Sequence, residues 1–544
     1  MTLWKAFLGL LLCSSSVCYA ATELNPRTLT WSDKSFGPDG PWQAITLKIG
    51  TPPQNVALYP GGAWGSAILL KSGEFGKLED FGKSAAVPKW GFEKMAFDYV
   101  NINGFSVPNV SIKAISNIYQ TYPGGQNYPV EVGILSLGAE SLNQTFGYGT
   151  NTPAVNVTFV NSYLYTSAGT SGIPSYSYGM HIGSAALGIP GSLLLGGYDR
   201  ARVIGDVSAQ PYATTDLPIQ LLDISIGVAS GGSPWSYLNK SGLLAHANST
   251  LSYGTTTFAS PPDPYIYLPK SSCDAIAAEL PVTYQPEYGL YFWDTSSPRY
   301  TQIVTSPSYL GFTFSKNALN NANITIKVPF ALLNLTLEAP LTDKPTSYFP
   351  CMGTDGPYAL GRAFLQAAFM GINWGYGTGN WFLAQAPGPQ IPSTASPTVI
   401  HAEDLTIQGT SNSWENTWTR FWTEIPASSS SSTAIATPIT NSSNSSSSGG
   451  LSTGAKVGIG VGCGVAGIVL IALALFIVLR RRKRYNTVSH QAGGGDTKSS
   501  DSGYQSPGQP YTRTIVSDQS GTNTLSRQTY ELGEERREGP WELS

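Results

Sequence analysis

The sequence predicts an all-β fold. Short runs of alternating apolar and polar residues recur between Trp31 and Gln385, Gly, Pro, Asn and Ser punctuate them, and long helical periodicity is scarce. Alternation with period two is what a half-buried strand requires, because successive side chains point to opposite faces of a sheet.

Taken in order, Ala44 to Ile49 alternates and is broken by Gly50 and Pro52. Ser111 to Ile115 and Ile324 to Val328 repeat the pattern. Gly289-Leu290-Tyr291 opens a further short strand, and Cys273 to Leu280 is one short helix candidate. A cluster of Trp414, Trp418, Phe421 and Trp422, spaced by three or four, reads as one short amphipathic helix packing back on the body.

The chain has 544 residues, enough for a large core and more than one domain. Only 12% are charged, about half of the ~25% usual in globular chains. With a net charge of -3, nothing suggests nucleic acid as a partner. Such a composition suits a secreted, sheet-rich, glycosylated protein. The sequons Asn109, Asn143, Asn156, Asn239, Asn248, Asn323 and Asn334, with Asn441 and Asn444 further on, mark candidate glycosylation sites.

Residues 1–20 read as a signal peptide: Lys5, an apolar run from Ala6 to Leu12, and small residues at Cys18 and Ala20 for cleavage. Val457 to Leu479 is apolar and long enough to span a bilayer, and Arg480 to Arg484 is a basic stop that stays on the cytoplasmic side. The expectation is a single-pass protein at the plasma membrane, with its N-terminal bulk outside and the lipid bilayer as a partner through 457–479. Residues 427–456 are Ser/Thr-rich and read as an O-glycosylated stalk, and 480–544 as a disordered cytoplasmic tail open to cytoplasmic partners. Of five cysteines, only Cys273 and Cys351 fall outside the signal peptide and the span, and in an oxidising compartment they are expected to pair.

Four motifs then occur in sequence. The first is Gly50-Thr51-Pro52-Pro53-Gln54, an apolar strand through Leu58-Tyr59, and Pro60-Gly61-Gly62. The second is Gly133-Ile134-Leu135-Ser136-Leu137-Gly138 and the third Gly191 to Asp199. The fourth is Tyr358-Ala359-Leu360-Gly361-Arg362-Ala363-Phe364-Leu365. In this order, across about residues 40–390, they resemble the pepsin-like aspartic protease family (peptidase A1 type) and its fungal membrane-anchored members, with Arg362 standing where the family usually has Asp. The resemblance implies two lobes, 27–209 and 210–395, followed by an aromatic-rich extension over 396–426. It also implies an inter-lobe cleft to which each lobe supplies one catalytic Asp.

Neither Asp is found. The triplet pattern puts the first at Pro60, and an ungapped count from Gln54 puts it at Gly61. Counting back from Pro269 at the family spacing puts the second at Ser260, in the triplet Ser260-Pro261-Pro262. Hydrolysis by this family needs two carboxylates sharing a proton around a water. An imino ring and a hydroxyl cannot replace them. Asp263 is the spare acid, and its prolines read better as a turn than as a catalytic site. The cleft residues implied are Tyr59, Pro60, Gly61, Gly62, Ser260, Pro261 and Pro262, with Trp90 as a flap aromatic that reads more simply as core.

Other chemistries lack their residues. His181, His246, His401 and His490 have no metal-ligand spacing, so no metal or cofactor is expected. Asp501-Ser502-Gly503 lies in the tail, and Gly450 to Gly454, the sole G-x-S-x-G match, lies in low-complexity sequence. Three readings follow: a non-hydrolytic ectodomain binding a peptide, protein or glycan in the inter-lobe cleft; an active aspartic-type endopeptidase with unrecognised acids; and a wall or adhesion protein using the fold as a rigid spacer.

Overall fold

The computed structural model describes residues 24–427, apart from 63–65, 71–88, 147–154, 214–215, 318–321, 376–378 and 393. The expected signal peptide, most of the stalk, the span, the tail, Asn441 and Asn444 lie outside the described residues. The described residues form one compact unit, and strands dominate it.

The alternating runs become strands. Ala44 to Ile49 lies in Trp42–Ile49, Ser111 to Ile115 in Phe105–Thr121, and Ile324 to Val328 in Asn323–Pro329. In Trp42–Ile49 and Asn323–Pro329 the buried set is apolar, as a half-buried strand demands, whereas Ser111 to Ile115 is buried on both faces, with Ser111, Ile112, Ala114 and Ile115 all in the interior. The helix candidate at 273–280 is observed three residues earlier, as Lys270–Ala277, because Pro269 starts it.

Residues 31–158 build a ten-stranded sheet, and residues 218–360 an eight-stranded one. Both contain a parallel pairing among mostly antiparallel neighbours. In the first, Gln54–Gly62 runs parallel to Gly133–Ser136; in the second, Thr255–Ala259 runs parallel to Ala359–Leu360. These strands carry the motifs, and their ends meet. A six-stranded sheet mixes early and late chain, with Ser177–His181 between Ser192–Leu195 and Ala368–Asn373. A four-stranded sheet of residues 282–349 completes the body.

The segment after residue 396 is strapped to this body. Pro397–Val399 pairs with Gly197–Asp199, and Ile425 bridges to Gly232. The tryptophan cluster is not an amphipathic helix. Glu415–Trp418 is a single 3₁₀ turn, and Arg420, with a left-handed φ of 68°, ends any helical continuation. Trp414 and Trp418 are nonetheless buried, and Trp418 stacks on Trp422 with ring centres 5.3 Å apart.

Cys273 and Cys351 are joined by a disulfide. It ties the helix Lys270–Ala277 to the strand Cys351–Gly353 at the end of the eight-stranded sheet. Both sulfurs sit in the core, with residue exposures of 0% and 1%.

Candidate functional site

The strand Gln54–Gly62 delivers Tyr59, Pro60, Gly61 and Gly62 to one side of a seam, and the turn after Thr255–Ala259 delivers Ser260, Pro261 and Pro262 to the other. The two come into contact. A Cβ built on Gly61 would lie 2.6 Å from Pro261 Cγ, and Gly61 holds a φ of 117°. Only a glycine tolerates both the close approach and that backbone. The ladders pair Pro60 with Leu135 and Ala259 with Leu360, which sets Gly61 level with Ser260 when the two leucines are matched. The contact instead sets Gly61 against Pro261. Neither alignment brings a carboxylate to the first strand end.

On the second side, Ser260 is half-buried and its Oγ donates to Asp263 Oδ2 at 2.7 Å. Asp263 is buried at 2% exposure. The backbone closes the same turn, with Asp263 N–H donating to Ser260 O at 3.0 Å. An acid and a hydroxyl are thus bonded within one turn, the hydroxyl standing where the family resemblance implies the acid. Asp263 is held by turn chemistry, as an Asx-type residue between prolines is expected to be.

Arg362 is the residue whose role the sequence did not reveal. It opens the short helix Arg362–Leu365 just after the strand Ala359–Leu360 and is 5% exposed. One guanidinium nitrogen donates to Pro262 O at 2.7 Å and to Pro261 O at 3.2 Å. Its Cζ lies 4.0 Å from the Tyr59 ring centre and 4.9 Å from that of Trp42. One cation therefore clamps the Ser260–Pro262 turn and packs between two aromatic faces of the other side. Its only sequence signal was a mismatch at a family position.

Around the clamp lies a buried polar network that no local pattern announced. Asp39, with no solvent exposure, accepts from Trp42 Nε1 at 2.9 Å and from Tyr265 Oη at 3.2 Å. The Asp39 carbonyl accepts from Tyr348 Oη at 2.5 Å. Tyr122 and Tyr265 share a hydroxyl hydrogen bond, Gln120 donates to Tyr122 Oη at 3.2 Å, and Tyr128 donates to Gln120 Oε1 at 3.0 Å. Burial raises the pKa of Tyr59, Tyr122, Tyr128, Tyr265 and Tyr348, and the negative charge of Asp39 adds to the rise. These phenols remain neutral donors, which is what a buried carboxylate and its neighbours need. Backbone bonds reinforce the seam: Gly124 N–H donates to Glu287 O and Glu338 N–H to Pro38 O, each at 2.7 Å.

A cavity of about 30 Å³ is lined by Tyr59, Gln120, Tyr128, Ile134, Pro262 and Arg362 among others. That is room for roughly one or two waters. Tyr59, Pro60 and Pro261 are buried, and Gly61, Gly62, Ser260 and Pro262 are half-buried. Trp90 lies on the strand Lys89–Ile102 opposite Tyr119, and its side chain lies outside the described residues. Among the described residues no cluster of three or more His, Cys, Asp or Glu could hold a metal ion.

The exposed sequons include Asn109, Asn143, Asn239 and Asn323. Asn248 is half-buried and caps a 3₁₀ turn by accepting from Thr250 N–H at 3.2 Å. Asn156 lies on the strand Val155–Thr158. Asn334 differs from the others. Its side-chain amide donates to Tyr300 Oη at 3.0 Å, and its Oδ1 is buried.

No protein-family model and no curated protein matches the sequence. Among solved structures, the crystal structure of an aspartic proteinase from Irpex lacteus is similar over 63% of this chain and 94% of that chain, at 13% identity and a TM-score of 0.39.

Proposed function

We propose that this chain is a membrane-anchored, two-lobed ectodomain of pepsin-like type that does not hydrolyse peptides and acts at the cell surface by binding. Four motifs in family order support the lobes, and the sequence patterns at 1–20 and 457–484 support the topology. The observation that carries the loss of hydrolysis is the occupancy of the two strand ends. They meet as glycine against proline, and the acid of the second turn is buried and bonded to its own serine. The described contacts of that turn are a hydroxyl on Asp263 and an arginine on the proline carbonyls, whereas hydrolysis of this type uses two carboxylates around a water.

The packed seam favours a second reading, in which the fold is a rigid spacer in a wall or adhesion protein. The observation behind it is the direct contact of the two strand ends, Gly61 against Pro261, bridged by Arg362. The endopeptidase reading needs a second carboxylate beside Asp263, where the described donor is a hydroxyl.

A pepstatin-type inhibitor distinguishes the readings. Titrated into the intact chain in mild detergent at acid pH, it is expected to leave the melting temperature unchanged. A saturable rise in melting temperature would restore the endopeptidase reading.

A further inference from the structure

The two large sheets have four terminal strands, and a terminal strand presents unpaired backbone groups that template the addition of another chain. Each end is treated differently. Trp31–Phe36 ends the ten-stranded sheet and exposes Asp33 and Lys34. Charges on an edge discourage pairing. Cys351–Gly353 ends the eight-stranded sheet and is largely buried, tied to a helix by its disulfide. Of the other two ends, Asn323–Pro329 carries its charge and its proline only toward the far end, at Lys327 and Pro329, and Asn143–Phe146 has no charged residue in its sequence. Both begin at an exposed sequon asparagine.

On the edge at Asn323–Pro329 the described guards lie toward the far end. At Lys327 the outward backbone is covered, because Gln385 Oε1 accepts from Lys327 N–H at 2.7 Å and Gln385 Nε2 donates to Lys327 O at 3.1 Å. The Gln385 side chain thus imitates one residue of a missing strand. The Lys327 side chain turns to Glu415 at 2.7 Å and lies over Trp414. By the period of an antiparallel ladder, Thr325 and Asn323 aim their backbone groups to the same open side. Gln385 does for the backbone of Lys327 what the sequence leaves to Asn323 at the other end.

We propose that N-linked glycans at Asn143 and Asn323 are edge guards, blocking strand addition by a second copy of this chain. A glycan is bulky and solvated, whereas a neighbouring strand must approach to about 4.8 Å. The two cannot share the space beside the first residue of a terminal strand. The proposal rests on passage through a glycosylating secretory route, in line with the buried disulfide. It does not rest on the chain being hydrolytically inactive.

The test uses the intact chain made in a glycosylating host, with glycopeptide mapping and light scattering after size exclusion. Asn143 and Asn323 are expected to be occupied. The double variant Asn143→Gln with Asn323→Gln is expected to lose its monomer peak to β-rich oligomers. Asn248→Gln, at a residue that caps a 3₁₀ turn and lies in no strand, is expected to keep it. Trimming the folded, purified wild type to single core sugars with an endoglycosidase is expected to produce the same oligomers, which separates the glycan from any effect of the substitutions on folding. Unoccupied Asn143 and Asn323, a trimmed protein that stays monomeric, or equal association of the Asn248→Gln control would overturn the proposal.

Discussion

Arg362 Cζ lies 4.0 Å from the centre of the Tyr59 ring, so a buried cation from the strand end after residue 358 rests on the aromatic residue that precedes Pro60. The same guanidinium holds Pro261 O and Pro262 O. The two sides of the seam are therefore joined by one side chain. Arg362→Lys keeps the charge and loses the broad guanidinium that bonds two carbonyls through one nitrogen while its carbon lies 4.0 and 4.9 Å from two ring centres. It is expected to destabilise the chain by about 2 kcal/mol, read as a lower urea midpoint with an unchanged slope. Arg362→Asp, which restores the family residue, is expected to cost more, on the order of 3–5 kcal/mol, and to confer no hydrolysis.

His181 makes stability depend on acidity. It is fully buried, its Nε2 lies 2.8 Å from Gln366 O, and Arg202 faces its Nδ1 at 3.4 Å. The geometry fixes the neutral tautomer that donates from Nε2 and accepts at Nδ1. Burial first, and then the Arg202 charge, pull its pKa down from 6.5 to about 3. Between those values the unfolded chain binds the extra proton, so stability falls as pH drops. The slope is about 1.4 kcal/mol per pH unit. Thermal melts are expected to weaken steadily on acidification below neutral pH, and His181→Gln to flatten that response while lowering stability at neutral pH.

The disulfide closes a loop with a sequence separation of 78. In the chain-entropy model it stabilises by roughly 4 kcal/mol. The double variant Cys273→Ala with Cys351→Ala is expected to lose about that much, measured by urea unfolding. Its free ends would release the last strand of the eight-stranded sheet, so hydrogen exchange should rise first at Ile266–Leu268.

Asn334 is expected to carry no glycan, in contrast to the exposed Asn109, Asn239 and Asn323. Its amide nitrogen, the atom that would be modified, is already bonded to Tyr300 and the side chain is partly buried. Glycopeptide mapping of the secreted form checks this directly. Occupancy at Asn334 would mean that the Tyr300 bond is absent in the mature fold.

Much of the fold was legible in residues that obey a local period. Ala44 to Ile49 and Ile324 to Val328 lie in strands because each buries one face, and Gly50 and Pro52 lie in the turn between Trp42–Ile49 and Gln54–Gly62. The absence of acids at Pro60 and Ser260 was equally plain, being a matter of residue identity. The seam was not legible. Asp39 and Tyr265 are 226 residues apart, and Tyr122 and Tyr265 are 143 apart. No period links such residues; tertiary packing alone brings them together. The aromatic cluster at 414–422 misled for the opposite reason. Its spacing suits a helix, yet Arg420 adopts a left-handed backbone and the indoles are buried from a single turn.

The measurement that tests the central claim most directly is proteolysis. The intact chain, purified in mild detergent, is incubated with denatured protein substrates from strongly acid to neutral pH, with and without a pepstatin-type inhibitor. The expected result is no inhibitor-sensitive cleavage at any pH, with product formation equal to that of an Asp263→Asn variant. Cleavage that the inhibitor abolishes and that Asp263→Asn removes would contradict the account.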